Sequence, residues 1–374
     1  MKRRPQGTPP PKAFDPDAAA GAGTGIFGLR AAAAKSRVII LPVPFEATTS
    51  YGGGAARGPA AVLAASRQVD LLDRETGRPY EAGIAMLPIP RNIMAWNREA
   101  KPLAAGVIRA GGVGEGGKPH LRRALARVNA IGALLNGWVR RETERILESR
   151  RIAVVLGGDH SVPFGAIEAY AARDPGLGIL HIDAHCDLRE AFEGFTWSHA
   201  SIYHNVMTRV PGVARLVQVA VRDMGAREET MIARSRGRIV LYHDADLAGR
   251  LARGETWEHL TKEIVSRLPA RVYISFDIDG LDPTLCPHTG TPVPGGLSFH
   301  QATSLMLAVA RSGRTIVGGD LCEVSPGSGA DEWDANVGSR ILYKMIGSIL
   351  LSRGRGPARP RRLRVPARTR ASAR

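Results

Sequence analysis

Cysteine is scarce in this chain: Cys186, Cys286 and Cys322 are the only three in 374 residues. So few thiols, and an odd number of them, exclude a disulfide scaffold and suit a reduced, cytoplasmic setting. Long apolar runs are missing too. No stretch of 18 or more apolar residues occurs, so nothing reads as a membrane-spanning helix. The basic start Met1-Lys2-Arg3-Arg4-Pro5 leads to Pro9-Pro10-Pro11 rather than to an apolar run, which argues against a secretory signal. Acidic residues are absent between Arg353 and Arg374, a stretch that holds nine arginines. That tail supplies more than half of the formal net charge of +16, so the charge is not spread over the chain. Having Pro, Ala and Gly but little to bury, residues 353–374 are expected to be a disordered Arg-rich tail. Nucleic acid is therefore a partner only through this tail.

What is present is 44% hydrophobic residues, enough for a sizeable core. Residues 1–35, rich in Pro, Gly and Ala, read as a flexible N-terminal arm, and residues 36–352 as the folded domain. A first core strand is expected at 38–43, followed by a Gly- and Thr-rich loop at 44–58 and a helix opened by Pro59. A second apolar segment lies at 84–89. Residues 106–118 are Gly-rich and read as a flexible excursion, and 120–149 carry apolar residues at helical spacing. Beyond residue 150 the alternation is regular. Strands are expected at 152–156, 178–183, 216–221, 239–241, 272–277 and 315–320, with helices at 162–172, 257–268, 298–311 and 337–351. This order implies a three-layer α/β/α fold with a largely parallel central sheet. In such sheets the ligand site lies beyond the carboxyl ends of the strands.

Four of these strands end in polar strings. Asp183, His185 and Asp187 occupy alternate positions in Asp183-Ala184-His185-Cys186-Asp187, so an extended chain would turn all three to one side and Cys186 to the other. Gly157-Gly158-Asp159-His160-Ser161 places His160 at the head of a helix. Asp277 and Asp279 share a side in Ser275-Phe276-Asp277-Ile278-Asp279-Gly280, and Gly318-Gly319-Asp320-Leu321-Cys322-Glu323 closes the fourth. Singly, an Asp-x-Asp is a turn and such a His a cap. Together they set two imidazoles and four carboxylates at one sheet edge, a costly burial without a cation. Nitrogen and oxygen donors without thiolate suit two divalent ions such as Mn²⁺, which together activate a water molecule at neutral pH.

With these strings, Thr289-Gly290-Thr291-Pro292-Val293-Pro294-Gly295-Gly296 and Glu323-Val324-Ser325-Pro326 follow in order. The chain thereby resembles the ureohydrolase family, which includes arginase and agmatinase, from about residue 38 to 351. The resemblance implies an arginase-like fold, a ureohydrolase catalytic domain over 36–352, and trimers or hexamers. It implies metal ligands at His160, Asp183, His185, Asp187, Asp277 and Asp279, holding two Mn²⁺ or Ni²⁺ ions. It places the acid that grips a guanidinium group at Glu323 and an active-site histidine at His199, with Asp187 as a proton relay. The segment from Leu188 to Thr196 lacks the Asn, Thr and Ser pattern by which arginases bind an amino acid, so arginine is disfavoured. Thr48-Thr49-Ser50-Tyr51 and Glu332-Trp333-Asp334-Ala335-Asn336 look most like the guanidine hydrolase branch, with Thr49 and Trp333 at the substrate. An indole at the pocket mouth would fill the space of an aminobutyl tail, which favours free guanidine; packed under its loop, Trp333 would do no such thing. Agmatine or a guanidino acid is the alternative substrate. A metal-free binding or regulatory module working through the basic tail is the alternative of a different class.

Overall fold

Eight short runs rich in Val, Ile and Leu become strands: β1 (Val38–Val43), β2 (Ile84–Met86), β3 (Ile152–Gly157), β4 (Leu177–Ile182), β5 (Val213–Val221), β6 (Ile239–His243), β7 (Arg271–Asp277) and β8 (Thr315–Cys322). β1, β3 and β4 are buried at every position, as strands covered on both faces must be. In this computed structural model residues 14–21, 23–114, 116–329 and 331–354 are described. The strands form one sheet in the order β2-β1-β3-β8-β7-β4-β5-β6, every pairing parallel.

Parallel neighbours need crossovers, and the crossovers are helices on both faces. On one side lie α1 (Gly58–Ala65), α7 (Asp244–Ala252), α8 (Trp257–Ser266), α9 (Phe299–Arg311) and α10 (Trp333–Ser352), packed through Val62, Leu247, Ile264, Leu305 and Ile341. The other carries α2 (Arg91–Arg109), α3 (Pro119–Glu148), α4 (Phe164–Arg173) and α5 (Ile202–Arg209), packed through Ile93, Ile131, Ile167 and Val206, with α6 (Ala226–Arg234) at its edge. The three layers and the parallel sheet are as expected. The order also sets β3, β8, β7 and β4 side by side, so the four polar strand ends meet at one edge.

Several boundaries differ from the sequence reading. Helix α2 was not anticipated, because Pro102 lies inside it and Gly106 follows; its buried Ile93, Ala100, Ala104 and Val107 nonetheless share one face. The Gly-rich excursion therefore shrinks to 110–118. Helices α5, α6 and α7 are only eight or nine residues long, too short for a clear period. The arm boundary at 35 is also corrected. Ile26, Phe27 and Leu29 are buried, Phe27 N–H donates to Ser66 Oγ at 2.9 Å, and its ring lies 4.8 Å from that of Tyr343. The remaining arm and tail assignments at 1–13 and 355–374 lie outside the described residues.

Arg353 belongs to the domain, not to a tail. Its Nη2 donates to Val317 O at 2.7 Å and its Nε to Ile316 O at 3.2 Å, at the start of β8. Among the described residues no helix is long and apolar enough to cross a membrane. Arg353→Ala is expected to cost about 1–3 kcal/mol, since charged donors to strand carbonyls are lost. Chemical denaturation should show a lower midpoint at unchanged slope; an unchanged midpoint would contradict this seating.

Candidate metal centre

His160 stands just beyond β3, at a place fixed by backbone crowding. A side chain on Gly158 would collide with the backbone of Phe45, so only glycine lets the chain turn there. The imidazole faces three carboxylates: Nδ1 lies 2.9 Å from Asp183 Oδ2, 3.2 Å from Asp277 Oδ2 and 3.3 Å from Asp187 Oδ2. Its other nitrogen, Nε2, lies 3.0 Å from Ser275 Oγ, and Ser275 gives its one hydroxyl hydrogen to Asp320 Oδ1 at 2.8 Å. The Ser275 oxygen must then accept Nε2–H. Burial opposes a charge on His160, yet Tyr203 and the three carboxylates raise its pKa well above the imidazole range, so the Nδ1 position attracts a positive charge, a proton or a metal ion.

A second group adjoins the first through Asp183. His185 Nδ1 is 3.4 Å from Asp183 Oδ1 and 3.1 Å from Asp279 Oδ2. Asp183 thus offers one oxygen to each group. Burial disfavours a charge on His185, yet Asp279 and Asp183 outweigh it and raise its pKa to about 12. The proton occupies the position in which a lone pair would meet a metal. Burial and the neighbouring Asp183 push Asp187 up to about 7, and burial with Asp279 and Asp183 holds Asp277 well above the carboxylate range. Carboxylates that protonate in the absence of a cation are a donor set that fits one. Two divalent ions would fit the two groups, one facing His160, Asp183 and Asp187, with His181 and Asp277 close by, and the other facing His185, Asp183 and Asp279.

The six expected ligands are brought together, though not by plain alternation. β4 stops at Ile182, and Asp187 takes a left-handed φ of 53°, held by Tyr203 N–H and His204 N–H donating to its carbonyl. Asp279 sits on the 3-10 turn Ile278–Gly280, whose entry is tied by Asp279 N–H donating to Asp277 Oδ1 at 2.9 Å. Cys186 is buried in the core on the α4 and α5 side, away from the ligands, as expected.

Glu323 follows β8 with φ 60°, a conformation that costs about 1–3 kcal/mol outside glycine. Glu323 N–H donates to Gly158 O at 2.8 Å and its carbonyl accepts Thr289 Oγ1–H at 3.0 Å, which hold the strain in place. Oε1 accepts His160 N–H at 2.9 Å, while Oε2 is buried without a partner. Burial, Asp277 and Asp159 hold this carboxyl well above its usual range. Beside the ligands a cavity of about 180 Å³ is lined by Ser50, His185, Asp187, Arg189, Phe192, His199, Asp223 and Thr291, among others. His199 lines this cavity, and burial, with His185 and His160 close by, lowers its pKa to about 4, so the imidazole is neutral at pH 7.

Thr49 lies beside Gly290, near Glu323 Oε2, with its own hydroxyl buried and unpartnered; Ser50, not Thr49, lines the cavity. Trp333 is not in the cavity wall. It is 48% exposed and its indole N–H donates to Thr284 O at 2.9 Å, so the expectation of an indole at the mouth is corrected to one braced on a loop. Sequence reasoning missed His181, Ser275, Asp320 and Asp223 as parts of the site. Gln218 Nε2 donates to His181 Nδ1, so His181 Nε2–H donates to Asp183 Oδ2 at 2.8 Å. The parity that linked Asp183 to Asp187 extends back to His181, and the parity of Asp277 to Ser275; that signal was available. Asp223 had none.

The model of the arginase family matches residues 36–347. An N(1)-aminopropylagmatine ureohydrolase from Thermus thermophilus is 35% identical over 317 residues, 84% of this chain and 90% of that protein. An agmatinase from Bacillus cereus is 30% identical over 313 residues, 83% of this chain and 91% of its own length. Among solved structures, the proclavaminate amidino hydrolase from Streptomyces clavuligerus superposes with a TM-score of 0.66 at 20% identity, covering 90% of this chain and 99% of that one.

Titration with Mn²⁺ or Ni²⁺ is expected to raise Tm by roughly a few degrees at a hundredfold excess over Kd, reversibly with a chelator. Asp183→Ala, which removes the carboxylate common to both groups, should abolish most of that shift. A Tm indifferent to metal in the unmodified chain would favour the metal-free binding module instead.

Proposed function

The chain belongs to the arginase family of ureohydrolases, and from that premise we propose that it releases urea from a small guanidine bearing a short amine tail. The observation that carries the reading is the free Oε2 of Glu323, a buried acceptor without a donor beside a cluster of metal ligands. A guanidinium ion is planar, cationic and rich in parallel N–H donors, the complement of such a carboxylate. Two divalent ions held by the six ligands would supply Lewis acidity and an activated water nucleophile.

The residues of the chain do the rest. Glu323 holds the guanidino plane and fixes its central carbon relative to the ligand cluster. Water adds to that carbon, the bond to one nitrogen breaks, and that nitrogen leaves as an amine once protonated. Neutral His199 and Asp187, which share the cavity wall, form the route by which that proton travels. The products are urea and the protonated amine. The trimer or hexamer that the resemblance implies is part of this proposal.

An amine tail is favoured over free guanidine on two grounds. Trp333, which would have filled the tail's space, is braced on Thr284 instead. Asp223, exposed in the cavity wall and fixed by its backbone beside His185, offers a carboxylate to an ammonium group. The names of the Thermus and Bacillus relatives, an aminopropylagmatine ureohydrolase and an agmatinase, agree with such a substrate.

Urea release from agmatine, N(1)-aminopropylagmatine, guanidinobutyrate, arginine and guanidine, after loading with each metal, tests the reading. The amine-tailed compounds should be the best substrates, and Asp223→Ala should raise their KM while leaving guanidine unaffected. Turnover of guanidine alone would overturn the amine-tail proposal. Glu323→Gln leaves the guanidinium without its counter-charge and should lower kcat/KM roughly 30-fold or more. Undiminished activity in that variant would remove Glu323 from the reaction.

A further inference from the structure

Gly290 stands against Glu323, beside its free Oε2. A Cβ added there would stand 3.5 Å from Glu323 Oε2 and 3.5 Å from Thr49 Cγ2. Its carbonyl accepts Gly52 N–H at 3.0 Å, which ties it to the loop after β1. Gly290 closes a segment, 284–290, that contains neither strand nor helix. The position of Gly290 depends on what grips that segment.

The grip comes from the first turn of α10. Trp333 Nε1–H donates to Thr284 O at 2.9 Å. Asp334, whose side chain is fully buried, accepts His288 N–H on Oδ1 at 3.0 Å and lies 2.8 Å from His288 Nδ1 through Oδ2. A carboxylate can only accept, so His288 must carry its hydrogen on Nδ1. From the other side the loop after Glu323 closes on the same ring. Asp331 Oδ2 is 3.7 Å from His288 Nε2, and a Cβ at Gly327 would come within 2.9 Å of His288 Cε1. The next residue, Thr289, donates its hydroxyl to Glu323 O. One imidazole thus joins α10, the loop after Glu323 and the segment that ends at Gly290, without lining the cavity itself.

We infer that His288, held by Asp334 and seconded by the bond from Trp333 to Thr284, is a positioning residue that keeps Thr289 and Gly290 against Glu323 and so fixes where its free Oε2 meets the guanidino group. The inference rests on the proposal that Glu323 grips the guanidino group. It also gives Trp333 and Asp334 a part in the reaction at a distance from the substrate. A loosened segment lets Gly290 move away from Glu323, so a flat substrate is held less firmly while the ligand cluster is untouched. A misplacement of about 1 Å at a reacting centre can cost up to about 10²-fold, and the effect here falls first on binding.

The test compares His288→Ala and His288→Asn in the full metal-loaded chain. The assay uses whichever of agmatine, N(1)-aminopropylagmatine or guanidine the unmodified chain turns over, alongside amide hydrogen exchange over 284–290. Asn can place an N–H donor where Nδ1–H stood. His288→Ala is expected to raise KM roughly tenfold with kcat changed by less than about twofold. It should leave the metal-induced Tm shift intact and speed exchange in the segment. His288→Asn should recover most of the KM and of the protection. An unchanged KM in His288→Ala, unchanged exchange, or equal losses in both variants would overturn the inference. Absence of urea release from every compound by the unmodified chain would instead overturn the reading of Glu323, while the exchange data would still report whether His288 holds the segment.

Discussion

Buried carboxylates without a permanent countercharge are the constraint on which this structure depends. Asp183, Asp187, Asp277 and Asp279 are buried at one sheet edge, and their ion-pair partners are the histidines His160, His181 and His185. Uncompensated, such burial is costly, and it raises the carboxyls of Asp187 and Asp277 above their usual range. The chain does not relieve it with lysine or arginine at these contacts. It orients histidines instead: Ser275 accepts from His160 Nε2 and gives its own hydrogen to Asp320, and Gln218 directs the Nε2 hydrogen of His181 toward Asp183. The result is a cluster organised for cations that the chain itself does not contain.

The same constraint accounts for two of the strained backbone positions. Asp187 and Glu323 both take a left-handed φ, and both sit where a strand end must redirect a carboxylate. Each is held by hydrogen bonds from outside its own strand: Asp187 by the start of α5, and Glu323 by Gly158 and Thr289. Local strain of this kind persists only when the surroundings over-determine it. The support extends further out through His288 and Asp334, so helix α10 contributes to the site without touching the ligands.

The parallel sheet and its two helical layers were legible because buried strands read as unbroken apolar runs and the alternation after residue 150 is regular. The ligand set was legible because its residues cluster at strand ends. Other features were not. Pro102 and Gly106 concealed α2 within a helix whose buried face becomes clear only once Ile93 and Val107 are seen packed. Phe27 and Arg353 lie in segments of low-complexity composition, and only tertiary contacts with Tyr343 and with the carbonyls of β8 reveal that they are seated. Trp333 shows the opposite failure. Its chemistry suggested a gate, but which way an indole points is a property of its neighbours, here the Thr284 carbonyl. Asp223 reaches the cavity through a pairing beside His185 that no spacing in the sequence records.

The proposed centre holds two cations at this edge with Asp183 between them. The most direct measurement is anomalous diffraction at the manganese edge from crystals of the chain grown with Mn²⁺. Two peaks are expected, one among His160, Asp183, Asp187 and Asp277 and the other against His185, Asp183 and Asp279. A single peak, or metal bound only at the neighbouring His160, Asp320 and Cys322 group with none beside His185, would contradict it.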